Sequence, residues 1–103
     1  HFQMVQDMIA KMATLTDASE KYLYDTCEKL VSGIDVNKQA AMAKLFLAES
    51  LKQVADMAIQ CHGGYGYMEE YQVERVARDA KLFEIGAGTS EIQKVVIARE
   101  LLK

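Results

Sequence analysis

Two short stretches of this 103-residue chain carry residue types that can present bare backbone to a ligand. The first is Gln60-Cys61-His62-Gly63-Gly64-Tyr65-Gly66. Its adjacent glycines let another molecule lie directly against the main chain, and Gln60 offers an amide that both donates and accepts. Simple chain reversal calls for the same glycines, so the two readings stay side by side. The second stretch is Gly86-Ala87-Gly88-Thr89-Ser90-Glu91, just before a predicted helix. There the backbone N–H groups lack internal partners and can donate to a carbonyl oxygen, a phosphate or a ring heteroatom. An ordinary capped helix start has the same composition. The Gly-x-Gly of the first stretch is not a dinucleotide fingerprint, because no strand precedes it and no βαβ unit surrounds it.

Other residues favour plainer readings. Met4, Met8, Met12, Met42 and Met57 sit at core-like helical spacings, which suits packing better than a ligand groove. Tyr65, Tyr67 and Tyr71 fit either a stacked ring system or the edge of a core. Arg75, Arg78, Asp79 and Lys81 read as a solvated helix face with local ion pairs. Cys27 and Cys61 belong to no CxxC pair and read as two buried thiols of a reducing compartment. His1 and His62 are the only histidines, and with no ligand cluster around them no metal is expected.

Long helices must position these stretches. The chain has no proline, and five of its six glycines fall between Gly63 and Gly88. The spacing of Phe2, Val5, Ile9, Met12, Thr16, Ser19, Leu23, Thr26 and Leu30 predicts a first helix from about Phe2 to Val31. Such a helix is roughly 45 Å long. Met4, Met8, Leu15 and Tyr22 add a second apolar strip. Gly33 suits the left-handed position beyond its end.

A second helix is predicted from about Asn37 or Lys38 to Cys61, with Asp35 and Asn37 as candidate N-caps. Ala40, Ala43, Leu47, Ser50, Val54, Met57 and Cys61 form one face, widened by Ala41, Ala48, Leu51, Ala55 and Ala58. A short helix from about Glu70 to Lys81 should turn Val73, Val76, Ala77 and Ala80 inward. The segment Leu82 to Gly88 reads as a loop. A last helix starts near Thr89, a good N-cap, and buries Ile92, Val95, Val96 and Leu102. Antiparallel helices with short connections make an all-α, up-down bundle.

Composition bounds the function. Hydrophobic residues make up 50% and charged residues 26%, as in ordinary globular domains. A net charge of −3 argues against nucleic-acid binding. No apolar run approaches the roughly 18–20 residues that span a bilayer. The helical period begins with the first residues, so the chain reads as one domain cut from a longer polypeptide.

Taken together, Gln60-Cys61-His62-Gly63-Gly64-Tyr65-Gly66-Tyr67, Arg78-Asp79-Ala80-Lys81-Leu82 and Ile85-Gly86-Ala87-Gly88-Thr89-Ser90-Glu91-Ile92 resemble the end of acyl-CoA dehydrogenases. Phe2-Gln3 and Ala98-Arg99-Glu100 fit the same pattern, which covers essentially all of residues 1–103. The resemblance implies the C-terminal helical domain of a homotetrameric FAD enzyme, without that domain's first helix. It implies α,β-dehydrogenation of an acyl-CoA, with an electron-transfer flavoprotein as acceptor, in a bacterial cytoplasm or mitochondrial matrix. By position Gln3, Gln60, Cys61, His62, Gly63 and Gly64 would touch FAD of a neighbouring protomer. Thr89, Ser90 and Glu91 would lie against flavin, and Ala87 and Gly88 would line the thioester end of the substrate site, with the Ala87 amide as a donor to the thioester oxygen.

Many family members carry their catalytic glutamate where this chain has Ala87, which cannot accept a proton. A subset resembling isovaleryl-CoA dehydrogenase shares Gly-Ala-Gly and takes its base from an upstream helix, here before His1. The chain alone is therefore expected to be inactive. A bundle short of one helix should expose an apolar groove along its first two helices and so dimerise or swap helices. Two other readings remain open at this point. One is a family member that has lost its chemistry, and the other is a helical interaction module whose glycine loops are only turns.

Overall fold

A computed structural model describes residues 3–103, and the Phe2 end expected for the first helix lies outside them. α1 spans Gln3–Val31, α2 Asn37–His62, α3 Val73–Ile85 and α4 Ser90–Leu101, with a 3-10 helix over Gly63–Tyr67. Among the described residues there is no strand, and no helix is long and apolar enough to cross a membrane.

Local chemistry sets most boundaries. Gly33 ends α1 at φ +83°, with the Gly33 N–H donating to Leu30 O and the Ile34 N–H to Lys29 O. Along α1, Lys11, Lys21 and Lys29 pair with Asp7, Asp17 and Asp25 one turn earlier. Each exposed pair contributes a few tenths of a kcal/mol, in the acid-before-base order that helices favour. Neither candidate cap on α2 holds the cap position, although Asp35 Oδ1 accepts from the Asn37 N–H at 3.0 Å in the turn that leads into the helix. Asn37 is instead the first helical residue, and Val36 holds the cap position.

α3 departs from expectation at both ends. It starts at Val73 rather than Glu70, because Tyr71 turns back on Met68 through a backbone hydrogen bond and packs its ring against Tyr65 at 5.4 Å. It runs through Leu82–Ile85, which was expected to be loop. A helix propagates until something stops it, and the first stop is Gly86, extended at φ −75° and ψ 152°.

α2 is the hub, and α1, α3 and α4 each pack against it. α1 runs antiparallel to α2: Met8 Sδ lies 4.0 Å from Cys61 Sγ near one end, and Tyr22 stacks on Phe46 nearer the other. The covered seam of α1 is Val5, Met8, Met12, Leu15, Ser19, Tyr22, Thr26 and Lys29. Its steps of three and four match a helix packed along a single partner. This line mixes the two predicted strips, and Ile9, Leu23 and Leu30 of the main predicted stripe remain exposed. α2 answers with small residues: Ala41, Ala43, Ala48, Ser50 and Ala55 are buried, which lets the axes approach closely.

The core is consequently thin. No large side chain among the described residues is fully buried. α4 packs on α2, and α3 on α2 with a small contact to the 3-10 helix, so each covers one narrow line, and Val76, Ile92, Val95 and Leu102 are exposed contrary to expectation. Met4 and Met42 are exposed too, and the thiols are not both buried: Cys27 is exposed and Cys61 half-buried. An apolar groove of about 590 Å³ opens between α1 and α2, bordered by Leu23, Thr26, Leu47, Leu51, Val54 and Phe83.

Candidate functional site

The first glycine stretch closes α2. Gln60, Cys61 and His62 are still helical, and Gly63 then turns the chain at φ +61° and ψ −137°, its N–H donating to Gln60 O. Only glycine adopts that conformation without strain. His62 Nδ1 donates to Ala58 O at 2.8 Å, and its ring lies 6.4 Å from that of Tyr71. Gln60, His62, Gly63 and Gly64 are exposed. Because α1 and α2 are antiparallel, exposed Gln3 belongs to this same end of the molecule.

Gly66 has a different task. It is buried, and a Cβ there would stand 2.4 Å from Ile59 O. Its lack of a side chain lets the 3-10 helix sit on the last turn of α2. Nothing comparable constrains Gly64, where a Cβ would meet open space.

The second stretch, Gly86 to Thr89, joins α3 to α4. Ala87 at φ +56° and Gly88 at φ +91° are consecutive left-handed residues, and Ala87 is the only non-glycine among the described residues with positive φ. Such a conformation costs an alanine about 1–2 kcal/mol and persists only when its surroundings hold it. They do. Gln93 Nε2 donates to Ala87 O at 3.4 Å, and Lys44 Nζ donates to Gly88 O at 2.9 Å. Thr89 caps α4 as expected, its Oγ1 accepting from the Ile92 N–H at 3.1 Å. Among the described residues the Ala87 and Gly88 carbonyls are thus occupied, whereas the N–H groups of both have no partner. Two amides just before the N-terminus of α4 are left free to donate to a ligand.

Two buried oxygens nearby are also unsatisfied among the described residues, Ser90 Oγ and Glu84 Oε1. Ser90 is only 7% exposed. A buried hydroxyl without a partner is costly, which fits a site that something else completes. Arg78 and Lys81 have the plainer role anticipated for that run, pairing with Glu74 and Glu84 on α3.

Within one chain the two glycine stretches do not meet. Lys44 marks where the second touches α2, and Gln60 lies sixteen residues further on, about 24 Å along a helix rising 1.5 Å per residue. Gln3, Gln60, Cys61, His62, Gly63 and Gly64 gather at one end, and Ala87, Gly88, Thr89, Ser90 and Glu91 lie near the middle. Lys44 escaped the sequence analysis, as did Gln93. The signal for Lys44 was present, since it interrupts the strip of Ala41, Ala48, Leu51 and Ala55 that faces the core.

A thin alanine seam, an open apolar groove and two unpartnered amides characterise this all-α domain. Residues 1–102 match the family described as acyl-CoA dehydrogenase, C-terminal domain. The chain is 50% identical over 102 residues to the mitochondrial isovaleryl-CoA dehydrogenase of Solanum tuberosum, covering 99% of this chain and 25% of that protein. It is 44% identical over 102 residues to the 3-(aryl)acrylate reductase of Clostridium sporogenes, covering 99% and 27%. The crystal structure of acyl-CoA dehydrogenase from Geobacillus kaustophilus superposes with a TM-score of 0.94 at 42% identity, covering 98% of this chain and 27% of that one. The chain belongs to the acyl-CoA dehydrogenase family, and it spans about a quarter of the length of the curated relatives it matches.

Proposed function

We propose that this chain is the cofactor- and substrate-contacting helical domain of an FAD-dependent enzyme that converts acyl-CoA thioesters to 2,3-enoyl-CoA. The observation that carries the reading is the pair of unpartnered amides at Ala87 and Gly88, two residues whose own carbonyls are already bound. Removal of an α proton puts negative charge on the thioester oxygen, and donors already in place stabilise it without reorganising. The Ala87 amide serves as one such donor, and Ala87 and Gly88 line the thioester end of the substrate. Ala87 has no acid–base chemistry, so the base is a carboxylate supplied from outside this chain.

FAD, when bound, supplies the acceptor for the β hydrogen, which leaves as hydride. Thr89, Ser90 and Glu91 hold it from one protomer, with the unpartnered Ser90 hydroxyl as the donor set's buried member. Gln3, Gln60, Cys61, His62, Gly63 and Gly64 hold it from another, and their separation of about 24 Å from the first group fits an assembly that shares each flavin between copies. The assembly is a homotetramer, and an electron-transfer flavoprotein takes the electrons onward.

Flavin content and acyl-CoA-dependent flavin reduction of the whole polypeptide test this reading. Gly63→Val and Gly88→Val place a β-branched residue at φ +61° and φ +91°. Strain of about 1–3 kcal/mol at each site should weaken flavin retention about tenfold. Unchanged flavin content in both variants would instead favour an interaction module whose glycines only turn the chain.

The groove leads to a further expectation. With Leu23, Leu47, Leu51, Val54 and Phe83 bordering one open cleft, the isolated chain should self-associate through it. Sedimentation at high protein concentration should show dimers or larger species, and a strict monomer would refute the idea.

A further inference from the structure

We propose that Lys44 is a positioning residue for the thioester-facing loop, acting through Gly88 and Phe83 rather than touching substrate. The inference rests on the reading just given. Lys44 projects from the middle of α2, and its ammonium donates to two carbonyls from different elements, Phe83 O in the last turn of α3 and Gly88 O just before α4. α3 has no basic residue of its own in that turn, so Lys44 supplies the cation that the negative end of the helix favours.

The geometry gives this clamp a purpose beyond scaffolding. α3 and α4 each pack on α2, so neither needs Lys44 to stay in place. The peptide segment between them does. Ala87 sits at φ +56°, a conformation that an L-residue leaves when released. Holding Phe83 O and Gly88 O on one ammonium pins both ends of the stretch from Glu84 to Ala87, and Gln93 on Ala87 O orients the Ala87–Gly88 peptide that carries the Gly88 N–H. Without the ammonium, the loop can rotate about Gly88 and carry the Ala87 amide away from the thioester oxygen. An interaction made in the transition state would be lost with little change in substrate binding.

The test uses the whole polypeptide with Lys44→Met, which keeps the aliphatic stem, and Lys44→Arg, which keeps charge and donors. The Met variant should retain its flavin and a KM within about twofold, while kcat falls about 10- to 100-fold, the scale of a displaced oxyanion donor. The Arg variant should recover most of that loss. Wild-type kcat in the Met variant overturns the proposal. So do equal losses in both variants, and so does a Met variant that loses its fold or flavin, because Lys44 would then serve the scaffold alone. Amide hydrogen exchange at Ala87 and Gly88 separates this question from the function itself. If the wild type oxidises no acyl-CoA, the functional reading fails. Faster exchange in the Met variant would still show Lys44 holding the loop, and unchanged exchange would refute that hold.

Discussion

Supplied with FAD and a panel of acyl-CoA thioesters, the isolated chain turns over none of them, whereas the whole polypeptide bleaches its flavin anaerobically with at least one. This is the largest effect expected, and three physical deficits combine in it. On the proposed reading Ala87 stands at a base position and cannot accept a proton, and a positioned base is worth about 10²- to 10⁴-fold. The neighbouring carboxylates do not replace it. Glu84 is half-buried and paired with Lys81, 3.8 Å away, and Glu91 is exposed in the first turn of α4. The two sets of residues proposed to contact flavin stand about 24 Å apart along α2, so on that proposal one copy cannot close a site on its own. Any measurable turnover by the 103-residue chain would refute this account.

Replacing Gly66 with alanine is expected to lower stability more than the same change at any other glycine. Its new Cβ would meet Ile59 O at 2.4 Å and His62 Cβ at 3.1 Å, and the first of these is main chain that cannot swing aside. The 3-10 helix must lift off α2 or the last turn of α2 must distort, an overpacking cost of about 1–3 kcal/mol. At roughly 4–8 °C per kcal/mol for a domain of this size, Tm should fall by about 10 °C. Gly64→Ala is the control. That position has open space and no positive φ, so its Tm should hold or rise slightly, because alanine restricts the unfolded chain. Equal Tm values for the two variants would sink the packing argument. The exposed turn at residues 63 and 64 and the buried contact at 66 are thus chemically distinct within one Gly-Gly-Tyr-Gly run.

Much of this molecule is written in local sequence. Gly33 and Thr89 mark helix ends because their chemistry acts within one turn: a left-handed glycine after α1, a hydroxyl accepting from Ile92 at the start of α4. The absence of proline and the three-and-four spacing determine long helices and an all-α class before any fold is seen. The two glycine stretches are visible as candidate sites for the same reason, since backbone freedom is a property of single residues.

Tertiary structure alone decided the rest. Which strip of α1 meets α2 depends on the partner's surface, and α2's alanines select the line through Met8, Leu15, Ser19 and Tyr22 over the one through Ile9 and Leu23. Leu82–Ile85 became helix because the fold offered no obstacle before Gly86. The hold on the Gly88 carbonyl comes from Lys44, more than forty positions away, and no local pattern encodes which carbonyl an ammonium will find. Local propensities act over a turn or two, whereas packing and charge placement depend on residues brought together only when α2 gathers its neighbours.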